Sequence, residues 1–106
     1  MRSSRIEARV KATCADLNSL AGDFSAISQF AIMESRHRVI ELAQVAAQLL
    51  VTSRQLVEEI RHEGSGGSAA LISSLLRAQS RLLRVRNDRM RILICSQKRE
   101  LSKSTG

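Results

Sequence analysis

Among the side chains able to do chemistry in this 106-residue chain, two cysteines and two histidines come first, because a metal or a nucleophile would need them. Cys14 and Cys95 lie far apart, with no CxxC spacing and no histidine-rich neighbourhood, so they form neither a zinc corner nor a redox motif. They read as small core or groove residues of a reduced, intracellular protein, cytoplasmic or nuclear. His37 and His62 are too distant for a local metal pair and read as surface helix residues. Serines are plentiful, but no Ser/His/Asp arrangement accompanies them, and no glycine-rich loop leads into a P-loop lysine. The expectation is a non-enzyme with no catalytic residues, no cofactor and no metal.

The cations offer a different chemistry. Net charge is +7, and residues 1–63 are neutral, with eight basic and eight acidic side chains. Residues 68–106 carry nine basic side chains against only Asp88 and Glu100. At about 100° per residue, Arg77, Arg81, Arg84, Arg91, Lys98 and Arg99 gather on one side of a helix. Leu71, Leu75, Ala78, Leu82, Val85 and Leu93 lie opposite. Such a face either grips phosphates or carboxylates or is a solvated exterior, since single exposed ion pairs rarely exceed about 1 kcal/mol. An acidic protein surface is the preferred partner. Nucleic acid is the alternative, but there is no helix-turn-helix spacing, no zinc knuckle and no aromatic platform for a base. What is left is non-specific, salt-sensitive phosphate contact. Anionic membrane binding ranks last, because the opposite apolar face is needed for packing.

Arg86 and Arg89 fall inside the apolar sector of the same helix. Each either snorkels along its stem to water or meets a buried carboxylate. A simple hairpin register brings Arg89 toward Glu41, the pair that would fix alignment more than add stability.

The elements that must position these residues are helices. Proline, Tyr and Trp are absent, Phe24 and Phe30 are the only aromatics, and β-branched alternation is sparse. Ile6, Val10, Thr13, Leu17, Leu20, Phe24, Ile27 and Ala31 alternate steps of four and three, and Val39, Leu42, Ala46, Leu49, Ser53, Leu56 and Ile60 resume the rhythm. That spacing lines one side of a helix. The step of eight from Ala31 to Val39 is a stutter filled by Ser35.

The spacing predicts one long helix within 1–62, with a kink at 21–23 the weak point. There Gly22 precedes Asp23, a suitable N-cap. Residues 63–67 form a Gly/Ser loop, 68–103 a basic amphipathic helix, and 104–106 a tail. Gly64-Ser65-Gly66-Gly67 reads as a hinge, and its composition is equally that of an engineered linker. Leu82 to Ile94 alternates enough for a β-hairpin around Asn87-Asp88, but the arginines and the missing turn glycine favour helix. No apolar stretch approaches the roughly 18 residues of a membrane span. Met1 to Arg5 has a faint transit-peptide composition, but Glu7 and Asp16 follow and the helical rhythm starts at once.

Length then limits the fold. At 1.5 Å per residue the first helix is about 88 Å long and the second about 54 Å. A hairpin leaves Ile6, Val10, Leu17, Leu20, Phe24 and Ile27 wet, an exposure on the order of 10 kcal/mol. The expected fold is therefore all-α, an elongated antiparallel, coiled-coil-like helical hairpin or a three-helix bundle, completed by another chain. In the preferred reading that stripe, continuing through Phe30, Ile32 and Met33, pairs with helices of another copy or another subunit. The expected role is a scaffolding subunit of an intracellular complex.

Overall fold

The computed structural model describes the backbone of residues 2–63 and 68–105 and the side chains of residues 5–63 and 68–99. Three helices result: α1 (Arg2–Ala26), α2 (Arg36–Glu63) and α3 (Ser68–Thr105), with a short 3-10 turn at Gln29–Ala31 between the first two. They pack as an elongated bundle of 63 × 21 × 17 Å. Consecutive helices are antiparallel, so α1 and α3 run side by side in the same direction. The Gly/Ser segment 64–67 and Gly106 lie outside the described residues.

The long first helix is divided, and the division falls at 27–35 rather than at 21–23. Gly22 sits on the exposed face of α1, with open space where a Cβ would be. One helical glycine costs about 1 kcal/mol, and Leu20, Ala21 and Phe24 around it are buried in the core, which outweighs that cost. The helix instead ends where the chain can satisfy its freed backbone groups locally. The Ile27 amide donates to Phe24 O at 3.1 Å. Ser28, with extended backbone, caps the 3-10 turn by accepting the Phe30 amide at 3.2 Å. The Ser35 amide donates to Ala31 O (2.9 Å) and Ile32 O (3.2 Å), and Ser35 O accepts from Val39 N at 3.0 Å as α2 begins. The turn thus occupies the stutter in the apolar rhythm. Ile32, fully buried, ties it to the core.

This bend supplies the missing cover from within the chain. Ile6, Val10, Leu17, Leu20 and Phe24 are buried against α2 and α3. The expectation that another chain must cover them is corrected: the length argument identified a real deficit, and a third helix meets it.

The core has two parts. Ile6 and Val10 meet Leu56, Val57, Ile60 and Leu75 at one end. Leu17, Leu20, Phe24, Ile32, Val39, Leu42, Leu50, Leu82 and Leu93 form the larger cluster toward the turn. Between them lies a polar layer, where Gln79 Nε2 donates to Ser53 Oγ at 2.7 Å and Ser53 Oγ donates to Leu50 O at 2.8 Å. Among the described residues no buried side-chain polar atom is left unpaired. Residues 82–94 are helical, as the buried series Leu75, Ala78, Leu82 and Leu93 requires.

Candidate interaction surface

The groove between α1 and α3 carries the arginine row. Arg77, Arg81 and Arg84 line it together with Cys14, Asn18, Ser74, Ala78 and Ser80. Spacings of four and three residues place the three guanidinium stems about 6 and 4.5 Å apart along the axis. The groove lining contains no carboxylate, and these three arginines enter no ion pair among the described residues. Like charges so close, in water and unpaired among the described residues, make an electropositive strip.

Farther along α3, Arg84 also borders a hollow with Ser25, Val85, Asn87, Asp88, Arg89 and Arg91. Asp88 receives Arg89 Nη1 at 2.8 Å and Arg91 Nη2 at 3.3 Å, so its charge is already met. Arg91, Lys98 and Arg99 are exposed.

Arg89 does not pair with Glu41. Its side chain, only 13% exposed, turns to the carboxyl end of α1, where Nε donates to Phe24 O at 3.2 Å and Nη2 to Ser25 O at 3.5 Å. The last carbonyls of a helix lack intrahelical donors and carry partial negative charge, so a guanidinium there caps them. The expected register assumed an unbroken first helix. With α1 ending at Ala26, its carbonyls come level with Arg89, and Glu41 is left exposed. Arg86 donates Nε and Nη2 to Asn87 Oδ1 at 3.2 and 2.9 Å, meeting no carboxylate.

Of the residues expected to receive a partner through an apolar stripe, Ile6, Val10, Leu17, Leu20 and Phe24 belong to the chain's own core, and Ile27 is half-buried. Phe30 is different: it stands 96% exposed on the 3-10 turn. Phe30 was expected to continue the stripe, but it lies six residues past Phe24, about 120° round an ideal helix, and on the 3-10 turn it faces outward.

Sequence reasoning missed two features. One is an ion pair joining α1 to α2, Arg9 Nη1 to Glu59 Oε2 at 2.6 Å. Its hydrogen bond holds the Glu59 carboxyl below the usual glutamate value and raises Arg9 further. The other is an α1–α2 groove bordered by Asp16 and Asp23 with Ser19, Val45, Gln48 and Thr52. Helix α1 thus lends Asp16 and Asp23 to its groove with α2, and Cys14 and Asn18 to the groove of Arg77, Arg81 and Arg84. Two carboxylates at seven-residue spacing (Asp16, Asp23) were the available signal, but only the packing of α1 on α2 assigns them a groove.

Burial pushes the half-buried Cys14 thiol up, which disfavours a thiolate. Cys14 and Cys95 are both free. Among the described residues no group of three metal-ligating side chains occurs, and no helix is long and apolar enough to cross a membrane. No known family model, curated protein or solved structure matches the chain.

Proposed function

We propose that this chain is a non-catalytic interaction module, a scaffolding subunit of an intracellular complex that binds an acidic partner protein along α3. The observation carrying this reading is the carboxylate-free groove lined by Arg77, Arg81 and Arg84. A helix bearing a row of glutamates matches such a groove in shape and charge, and guanidinium forks bind carboxylates bidentately. The helix that carries the row sets these residues on one line. A reduced compartment, cytoplasm or nucleus, suits the two free thiols.

A second reading, non-specific binding of nucleic acid, draws on the same strip, because the whole positive excess of the chain falls in its second half. One experiment separates the two. Binding of a glutamate-rich helical peptide and of a random-sequence DNA duplex is measured by fluorescence anisotropy at several salt concentrations. The partner-protein reading expects peptide binding that persists at physiological salt and weakens at least tenfold in R77E/R81E/R84E. Tight, steeply salt-dependent duplex binding with weak peptide binding supports nucleic acid instead. Peptide binding unaffected by the triple reversal sinks the proposal.

A further inference from the structure

The end of the bundle opposite Glu63 and Ser68 combines an apolar protrusion with a net positive charge. Phe30 is 96% exposed, whereas Phe24 and Ile32 on either side are fully buried. Those two anchors, with the Ser28 cap on the Phe30 amide, hold the phenyl ring outward on a fixed turn rather than on a loose loop. Ile94 on α3, five residues beyond Arg89 and so at the same end, is 47% exposed. Beyond the last turn of α1, α3 continues for about 24 Å, ending at Thr105.

Charge around this end is one-sided. Residues 27–41 and 88–99 carry Arg36, Arg38, Arg89, Arg91, Lys98 and Arg99 against Glu34, Glu41 and Asp88, and Asp88 is shared between Arg89 and Arg91. The other end is balanced, with Arg5, Arg9, Lys11 and Arg61 against Glu7, Glu58, Glu59 and Glu63. A second copy is a poor match: its basic end repels, its other end is neutral, and the acidic groove on its flank brings only Asp16 and Asp23. A membrane would gain one phenyl ring and one half-exposed isoleucine, too little apolar area for stable insertion. A partner helix with a leucine face flanked by glutamates matches both components.

We propose that Phe30 is the apolar anchor of the docking surface, inserting into the leucine face of an acidic amphipathic helix whose carboxylates meet the surrounding arginines. This rests on the interaction-module reading and adds a specificity element to it: the arginines attract any acidic segment, and Phe30 selects one with an apolar face. Interface centres are enriched in such aromatic anchors inside a polar rim.

The test uses two monomeric helical peptides of equal negative charge, one with a leucine face and one in which alanines replace the leucines. The wild-type chain is expected to bind the leucine-faced peptide at least tenfold more tightly. F30A should erase that difference without altering the thermal melt, since the side chain touches solvent, and F30L should retain most of it. Equal binding of both peptides, or discrimination untouched by F30A, overturns the anchor. The module reading still stands in that case if R77E/R81E/R84E weakens both peptides, and fails if neither binds. Phe30-dependent flotation with phosphatidylserine vesicles, or Phe30-dependent self-association in sedimentation, without peptide discrimination also overturns the proposal, in favour of a membrane or a second copy.

Discussion

Ser53 sits fully buried in an otherwise apolar stripe, hydrogen-bonded both to Gln79 and to its own helix. Each polar atom there needs the other. Ser53→Ala takes the acceptor from the Gln79 amide and leaves a buried donor unpaired, at an expected cost of about 1–3 kcal/mol in urea unfolding. Adding Gln79→Leu removes the stranded group as well, and the double variant should recover most of that loss. A double-mutant cycle that shows simple additivity would deny the coupling. The layer's effect is on alignment: it sits between two apolar clusters, and sliding α3 by one turn would set Gln79 against leucine. Heptad spacing placed Ser53 on the buried seam correctly. It could not reveal the hydrogen bond, because the partner is 26 residues away, beyond the reach of local pattern.

At the level of the helices, the same rhythm explains what was legible and what was not. The two apolar faces, the arginine face of α3 and the helical state of 82–94 all follow from local periodicity. The break between α1 and α2 did not, because Leu20, Phe24, Ile27 and Ala31 keep their spacing through the region where α1 ends. The true signal was the stutter before Val39, together with the capping serines Ser28 and Ser35 around it. Gly22 attracted the bend on propensity, but propensity is weak against packing. Because Gly22 is exposed within α1 with nothing near its missing Cβ, Gly22→Ala should stabilise the bundle by about 0.4–1 kcal/mol, read as a rise in Tm by circular dichroism. A decrease would mean that α1 needs a hinge there.

For the whole molecule, the decisive question is what covers the stripe of α1. Periodicity reports that Leu17 and Phe24 are removed from water, but it is silent on which chain removes them. The answer depends on where the chain reverses, a long-range property that the turn chemistry at 27–35 controls. The two alternatives differ in an observable way. Were the stripe an open assembly surface, Leu17→Asp would abolish association and leave the subunit folded. In the bundle, Leu17 is fully buried between α2 and α3, and a carboxylate there has no partner and no water. The variant should lose several kcal/mol, of the order of the entire stability of a small domain. Circular dichroism should then show a lost cooperative melt and greatly reduced helicity. Arg77→Glu, on the exposed face, should leave the melt within about 0.5 kcal/mol of wild type while weakening the acidic peptide. That separation, stability lost from the stripe and affinity lost from the arginines, is what a bundle complete in one chain and binding through its cationic groove must produce.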